Sequence, residues 1–370
     1  MRVVLFTTNF IENIVIDLAN SLSEKSEVLL ITPQDHHYEG YISHISKKVK
    51  HETFFMPRMR NPKCVFMIKR IVDKINNYNP DVLHIQDNGH IWFITGLLRL
   101  RKTIIVNTIH DAKPHLGDKW SKLRFLSTRL GKLYTDHYIT HSKKVKSEIS
   151  MLYNIRNEIV DVLPLGGHSY YWKIRDSCTE SKNTILFYGR IWEYKGLDIL
   201  IRAESIISRE IPDVKIVIAG RGENIKKYRK MIGNRQNFLI KNYRISDIEV
   251  SKLFQEASLL ALPYRDATQS GVIPLAYIFG KPVVATNVGG LSEQLQDGIQ
   301  GFLVSPEDEK AFASAVIRIL KDDNIRKKMG ENALAYYHNQ LSGNRISRMT
   351  LETYEKALVN GGSTLSKGSL

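Results

Sequence analysis

Residues 185–200, ILFYGRIWEYKGLDIL, constrain the fold more than any other segment of this chain. Ile185–Tyr188 is an apolar run typical of a buried strand, and it ends in the turn Gly189-Arg190. A helix with apolar residues at helical spacing follows from Lys195-Gly196. Because a strand that passes into a helix is the unit of parallel α/β folds, the segment predicts such a unit.

The two cations at this strand-to-helix junction predict a diphosphate site. Arg190 and Lys195 have Gly189 and Gly196 beside them. The N–H groups and dipole at a helix start favour anions, and the two side chains add full positive charges. The alternative is that both are ordinary solvated charges, and this turn alone does not decide between the two.

A second segment, Leu262–Val304, adds another candidate anion site. It is predicted to contain a strand end, a loop, a helix, a strand at Pro282–Ala285 and a turn at Gly289-Gly290. The loop offers hydroxyl, amide and glycine residues at the start of the predicted helix. These residues are Thr268, Gln269, Ser270 and Gly271.

Strands and helices alternate along almost the whole sequence, which predicts parallel α/β architecture. Predicted strands in the first half are Arg2–Phe6, Val28–Thr32, Val82–Ile85, Thr103–Ile109, His137–Thr140 and Val160–Leu163. Those in the second half are Ile185–Tyr188, Val214–Ala219, Phe238–Ile240, Leu259–Leu262, Pro282–Ala285 and Phe302–Val304.

The ordered motifs GRxxxxKG, GKPVVAT, VGGLSE and DGIQGFLV within residues 184–304 resemble the retaining nucleotide-sugar glycosyltransferases of family 4. The resemblance implies the GT-B fold, in which two Rossmann-like α/β domains face each other across a cleft. It implies an acceptor domain at 1–168, a linker at 169–183 and a donor-nucleotide domain at 184–343. A crossover helix at 344–360 would pack on the N-terminal domain, and the tail 361–370 is expected to be disordered.

Candidate residues in the first half follow the predicted strand IIVNTI. His110 and Asp111 lie where side chains of a parallel strand point toward the ligand crevice, and Lys113 and His115 could contact an acceptor or its phosphate. The resemblance implies that His110 contacts the transferred sugar; the alternative is a hydrogen-bonded histidine at a strand end. His84 is expected to be a core histidine.

The resemblance also implies a donor site in the second half, with the nucleotide base near Gly220–Gly222 and Tyr243–Ile245. The implied donor-binding residues are Gly189, Arg190, Lys195, Gly220, Gly222, Tyr243, Arg244, Thr268, Gln269, Ser270, Gly271 and Glu293. The implied catalytic residues are His110, Asp266, Arg190 and Lys195, and the acceptor-side residues are Asp111, Lys113 and His115. A carboxylate at a helix start is the structural alternative for Glu293. His141 and Ser142 are expected only to begin a helix as its N-cap region.

The sequence departs from the family at two carboxylates. Many members carry two glutamates eight residues apart, and here Ala267 and Leu275 occupy those places. Asp266 is adjacent to the first of these and could replace it. The glycine pair usual after the first strand is also absent, with Asn9–Asn13 in its place.

The chain is strongly basic, with 53 Lys and Arg against 38 Asp and Glu and a net charge of +15. Lys113–Lys146 holds 9 basic and 2 acidic residues, and Leu123, Leu126, Leu130 and Leu133 lie at helical spacing within it. This pattern suits a basic amphipathic helix on anionic lipid. The alternative, which the apolar stripe alone favours, is a helix that packs its stripe on its own sheet.

Other features limit the function classes. No nucleic-acid module is visible, and Cys64 and Cys178 have no metal-ligand spacing, so no metal, other cofactor or nucleic-acid partner is expected. The N-terminus begins directly as a strand, and the longest apolar run, Ile91–Leu98, is too short to span a bilayer. These features favour a cytoplasmic protein, with an anionic membrane surface as one candidate partner.

Together, the motifs predict a metal-independent retaining glycosyltransferase. It would move a sugar from a nucleoside diphosphate sugar to a hydroxyl of a glycan or lipid-linked glycan, in polysaccharide or glycoconjugate synthesis. The alternatives are a nucleotide-sugar epimerase of similar fold and an inactive nucleotide-sugar-binding partner protein.

Overall fold

The chain divides into two compact units in a computed structural model. The structure describes residues 1–8, 13–34, 42–57, 61, 63–86, 93, 96–97, 99–100, 103–113, 121–222 and 224–362. The first unit comprises Met1–Gly167 and Gly343–Leu370, and the second comprises His168–Ser342. The first unit is therefore discontinuous in sequence.

The first unit is built on a parallel sheet whose described strands have the order β3-β2-β1-β4-β5-β6-β7. These strands are β1 (Arg2–Phe6), β2 (Glu27–Pro33), β3 (Val49–Phe54), β4 (Val82–Ile85), β5 (Ile104–Ile109), β6 (His137–Thr140) and β7 (Val160–Val162). The strand order reverses between β1 and β4, and in such sheets ligands bind at the carboxyl ends of the strands near this point.

Helices cover both faces of this sheet. They are α1 (Asn13–Leu22), α2 (Lys63–Tyr78), α3 (Ser121–Gly131), α4 (Lys143–Tyr153) and α13 (Gly343–Gly362). Val3 and Leu5 of β1 belong to a core shared with α1 and α13, whereas Val4 and Phe6 belong to a core shared with α2. Successive strand residues point to opposite sides of the sheet, so these two cores lie on its two faces. Both faces are buried because helices cover each of them.

The second unit repeats this plan around a parallel sheet with the described order β10-β9-β8-β11-β12-β13. Its strands are β8 (Thr184–Tyr188), β9 (Lys215–Ala219), β10 (Phe238–Lys241), β11 (Leu259–Leu262), β12 (Val283–Thr286) and β13 (Gly301–Val304). Its helices are α5 (Ser169–Lys173), α6 (Leu197–Glu210), α7 (Ile225–Ile232), α8 (Asp247–Glu256), α9 (Val272–Ile278), α10 (Leu291–Gln294), α11 (Glu309–Lys321) and α12 (Asp323–Tyr336). The strand order reverses between β8 and β11.

All the strands predicted from the sequence are present, with bounds that differ by at most a residue or so. The strand β3 was not predicted, because its sequence VKHETF is mostly polar. Most of its residues are exposed or half-buried, as an edge strand can be. The segment 169–183, predicted as a linker, lies in the second unit and begins with α5.

Several sequence predictions fall outside the described residues. They concern 9–12 of Asn9–Asn13, most of the apolar run 91–98, His115 and the tail residues 363–370. Within the described ranges, no helix combines the length and the apolar character needed to span a membrane.

Candidate functional site

The carboxyl ends of β8 and β11 bring the predicted phosphate-binding residues of the second unit together. β8 is followed by Gly189, whose φ of +113° favours glycine, and a short 3₁₀ turn at Glu193–Lys195 leads into α6. At Gly196 a Cβ would lie 1.8 Å from the Pro263 carbonyl oxygen. Glycine at this position therefore lets the turn press against the end of β11.

Lys195 is buried at this junction, which the sequence did not predict. Its side chain is only 7% exposed, and its Nζ donates a hydrogen bond of 2.6 Å to the Tyr264 hydroxyl. Burial, with a contribution from the Arg190 guanidinium, lowers the pKa of Lys195 to about 8. Burial also raises the pKa of Tyr264, which keeps the phenol neutral. The Lys195 ammonium also lies close to Gly189, since it is only 3.2 Å from the position that a Cβ on this glycine would occupy.

Arg190, the second predicted cation, is exposed. Its guanidinium carbon lies 4.4 Å from the centre of the Trp192 ring. A guanidinium over an aromatic face is attracted to it while its N–H groups keep their donor capacity. The junction thus presents one buried and one exposed cation.

Arg265 holds the turn that carries Lys195. Its two terminal nitrogens donate to the Asp198 carboxylate at 2.8 and 2.7 Å, and it also donates to the carbonyl of Glu193 at 3.0 Å. Its backbone N–H donates to the Tyr194 carbonyl at 2.7 Å. Burial alone would raise the pKa of Asp198, but hydrogen bonds from Arg265 and Arg202 outweigh it and lower the value to about 2. Sequence reasoning missed Arg265, which directly precedes Asp266.

The loop before α9 is the second candidate anion site predicted from the sequence. The Ser270 N–H already donates to Gln294 Oε1 at 2.7 Å, and Gln294 Nε2 donates back to the Ser270 carbonyl at 3.1 Å. The backbone N–H of Ser270 is therefore already paired with a side chain of the same unit. Thr268 and Ser270 are buried, and Gln269 is partly exposed. Gln294 was not predicted, although it follows Glu293 directly.

The remaining predicted site residues of the second unit lie after the carboxyl ends of β8, β9, β10, β11 and β12, with Glu293 in α10. Gly220 has a φ of +140°, and a Cβ there would lie 2.0 Å from the Gly189 carbonyl oxygen, so the two turns are in direct contact. The Gly222 N–H donates to Asn242 Oδ1 at 3.0 Å, and the Tyr243 hydroxyl donates to Glu249 Oε1 at 2.8 Å. Asp266, Arg244 and Glu293 are exposed, and Gly271 is partly exposed.

In the first unit, His110 follows β5 and meets a second histidine. The ring centres of His110 and His141 are 4.8 Å apart, and His141 Nδ1 lies 2.9 Å from the Leu163 carbonyl oxygen. Burial and, to a smaller extent, the neighbouring His110 lower the pKa of His141 to about 3, so its ring is neutral. His141 was expected only to begin a helix, and the structure adds this contact. Ser142 is the confirmed N-cap of α4, since its Oγ accepts from the Val145 N–H.

The structure also describes two other residues of this unit for which there was an expectation from sequence. His84 is a core histidine as expected: it is buried and lies 2.6 Å from the Tyr354 hydroxyl and 2.7 Å from Thr108 Oγ1. Lys113, next to the partly exposed Asp111, has its Nζ 3.9 Å from Glu148 Oε1. A small cavity of about 30 Å³ is lined by His84, His141 and neighbouring residues. It has room for about two water molecules.

No group of three or more His, Cys, Asp and Glu side chains is arranged to hold a metal ion in the described part of the chain.

Two family models match the chain. Residues 11–166 match the model described as Glycosyltransferase Family 4, and residues 182–322 match the model described as Glycosyl transferases group 1. The first range contains β2 to β7, and the second contains β8 to β13.

Curated relatives match over part of their length. An uncharacterized glycosyltransferase of Methanocaldococcus jannaschii is 29% identical over 238 residues, which are 60% of this chain and 60% of the relative. The D-inositol 3-phosphate glycosyltransferase of Paenarthrobacter aurescens is 32% identical over 187 residues, which are 47% of this chain and 44% of that protein. The chain thus spans less than two thirds of the length of these two relatives.

Solved structures match the whole fold. Anabaena HepE in complex with UDP has a TM-score of 0.76 at 18% identity, covering 96% of this chain and 100% of that chain. Sucrose-phosphate synthase from Thermosynechococcus elongatus has a TM-score of 0.73 at 15% identity, covering 97% and 99%. At these identities the likeness establishes a shared fold.

Proposed function

This chain belongs to glycosyltransferase family 4 and has the GT-B fold, and we propose on that premise that it is a retaining glycosyltransferase. The donor is a nucleoside diphosphate sugar, and the acceptor is a hydroxyl of a glycan or lipid-linked glycan in polysaccharide or glycoconjugate synthesis. The observation that carries the proposal is the paired cation site, with Lys195 buried and Arg190 exposed at the end of β8.

The donor class has support from chemistry and from similar structures. When the bond between the sugar and the diphosphate breaks, negative charge develops on the leaving phosphate, and cations held in place stabilise it. Lys195 and Arg190 would supply that stabilisation. Anabaena HepE has been solved with UDP and with UDP-glucose, which supports a nucleoside diphosphate sugar here.

Other residues receive roles within this proposal. Asp266 and His110 would contact the transferred sugar, and the loop 268–271 with Glu293 would complete the donor contacts. The base would lie near Gly222, Tyr243 and Arg244. Asp111, Lys113 and His115 would contact the acceptor.

The test of function is the release of free nucleoside diphosphate in the presence of an acceptor. A thermal-shift screen of nucleoside diphosphates comes first, because a ligand that binds only the folded state raises its apparent stability. We expect transfer with the selected donor to continue in excess EDTA, since side chains supply the positive charge. Loss of turnover in EDTA that magnesium or manganese restores would contradict metal independence.

Nucleotide affinity should decrease as the pH rises above 8. Lys195, with a pKa of about 8, is protonated at pH 7 and mostly neutral at pH 9. At pH 9 a bound diphosphate therefore lacks the positive charge of Lys195 as a partner. We expect affinity to fall about ten-fold between pH 7 and pH 9, following the protonated fraction. Isothermal titration at both pH values measures this, and Lys195→Arg should remove most of the change. An equal pH dependence in that variant would place the titrating group elsewhere.

One observation favours a second candidate function. Leu275, where many family members carry a glutamate, is 2% exposed, and Ala267 is also buried. Neither residue can hydrogen-bond a sugar through its side chain. A nucleotide-sugar-binding partner protein without transfer activity is therefore the alternative. It would bind the nucleotide in the thermal-shift screen without acceptor-dependent release of nucleoside diphosphate, and an epimerase would convert the donor sugar without any release.

A further inference from the structure

Helix α3 of the first unit buries polar residues and exposes apolar ones, which is the reverse of an ordinary surface helix. Ser127 and Thr128 are each only 3% exposed, whereas Leu126 is 42% and Leu133 just beyond the helix is 72% exposed. A helix that packs only on its own domain buries its apolar stripe and exposes its polar residues. The sequence-based alternative that this stripe packs on the sheet is therefore wrong for the described residues.

The exposed apolar side chains of this helix and of Leu133 just beyond it are called the α3 apolar face. It consists of Phe125, Leu126, Leu130 and Leu133, all of which are exposed. The Phe125 ring lies 5.2 Å from the ring of Tyr153, at the end of α4, where Met151 and Leu152 precede it. Lys132 Nζ also donates to the Tyr153 carbonyl at 3.0 Å. The ends of α3 and α4 are thus held side by side.

Exposed basic residues occur on α3 and on the neighbouring helix α4. Arg129 in the last turn of α3 is exposed, as are Lys143 at the start of α4 and Arg156 just after it. Asp136, the acidic residue that follows Leu133, accepts the Ile105 N–H at 2.8 Å and is partly exposed. The segment Lys113–Lys146 holds 9 basic and 2 acidic residues. This stretch of sequence is therefore strongly positive, and the first acidic residues after it in the chain are Glu148 and Glu158.

We propose that the α3 apolar face docks on the surface of a bilayer that contains anionic lipids. A helix with leucines on one side and basic residues beside them can bury its apolar chains at the level of the headgroups. The positive charge then interacts with anionic headgroups, and this charge complementarity favours lipid over an uncharged protein surface. The further step, that the acceptor is a lipid-linked glycan presented there, rests on the proposed function; the docking itself does not.

The test is co-sedimentation of the full chain with vesicles of phosphatidylcholine, with and without phosphatidylglycerol. We expect binding to the anionic vesicles at low salt that decreases as salt is added, because exposed charges are screened. Arg129→Gln should weaken it about five-fold, the effect of one basic residue near an anionic surface. Leu126→Ser combined with Leu130→Ser and Leu133→Ser should weaken it by more than about ten-fold.

Matched controls separate docking from general effects. Leu239 and Ile248 are exposed apolar residues of the second unit, at 53% and 61%, so Leu239→Ser with Ile248→Ser should leave vesicle binding unchanged. Melting temperature verifies that each variant is folded. Nucleotide affinity should stay at the wild-type value in the α3 variants, so a failure of docking and a failure of the proposed function are distinguishable.

Three outcomes of the sedimentation experiment would overturn the proposal, as would one result on the oligomeric state. They are no binding to anionic vesicles at low salt, equal binding to pure phosphatidylcholine, and equal weakening by the control pair. A wild-type chain that elutes as a dimer, and becomes a monomer only in the leucine variant, would assign the face to a second copy instead.

Discussion

Replacing Lys195 should weaken binding of a nucleoside diphosphate by at least about ten-fold. A charge-assisted contact to a buried phosphate is worth about 1.5–3 kcal/mol, and the buried Lys195 ammonium is positioned to make one. We suggest Lys195→Met, which keeps the length of the side chain and removes its charge. Arg190→Ala should weaken binding to a similar extent, and isothermal titration measures both.

The two variants should differ in stability. Arg190 is exposed, so its removal should leave the melting temperature nearly unchanged. Lys195→Met removes one hydrogen bond to the Tyr264 hydroxyl, but it also removes a buried ammonium whose lowered pKa shows that its charge opposes folding at pH 7. Its melting temperature without ligand should therefore rise rather than fall.

Two further variants complete this experiment. Lys215→Ala removes an exposed cation from the opposite end of β9 and should change nothing. Asp266→Asn should lower turnover more than it lowers affinity for the bare diphosphate, because that ligand lacks the sugar. Unchanged nucleotide affinity in both Arg190 and Lys195 variants would place the donor site elsewhere.

Arg265→Met should lower the free energy of unfolding by about 2–3 kcal/mol. Asp198 is buried and would lose two hydrogen bonds from Arg265, keeping one of 2.8 Å from Arg202. An ion pair that loses one partner leaves a buried charge uncompensated, and the partial exposure of Arg265 reduces the cost. Chemical denaturation measures the change. Arg202→Met, which removes a more exposed partner of the same carboxylate, should cost less.

The acid side of the stability curve provides a second readout for Arg265. The folded pKa of Asp198 is about 2, below its ordinary value of 3.8, so the contribution of this group is complete above about pH 4. It is lost as the pH falls from 4 through 2, because the unfolded chain then binds a proton more readily. Arg265→Met should flatten this decrease. Equal stability of the variant and the wild type at neutral pH would show that Arg265 does not hold the turn.

The strands could be predicted from sequence because parallel strands buried on both faces appear as short apolar runs. β8 and β11 are examples, and the edge strand β3 escaped prediction because its residues are mostly polar. The candidate diphosphate site at the β8 junction was predicted from Arg190 and Lys195 together with their glycines. The burial of Lys195 could not be predicted, because it depends on Tyr264, which is 69 positions further along the chain.

The same limit applies to the other residues that were missed. Arg265 follows the end of β11 without any local motif, and its partners Asp198 and Glu193 lie in α6 and in the 3₁₀ turn before it. His141 was assigned to a helix start because Ser142 is a good N-cap, and the contact with His110 arises only when β5 and β6 pair. Such contacts between distant segments are invisible to periodicity and spacing.

The discontinuous first unit has a consequence for synthesis on the ribosome. Tyr354 of α13 is fully buried in the core of that unit and is hydrogen-bonded to His84 of β4. A nascent chain that has emerged only as far as β7 therefore has an open apolar surface where α13 will lie. Domains generally fold as units, and the N-terminal one folds first during synthesis when its chain is continuous. Here the second unit, His168–Ser342, is translated in full before α13 exists, so it can finish folding while the first unit is still incomplete.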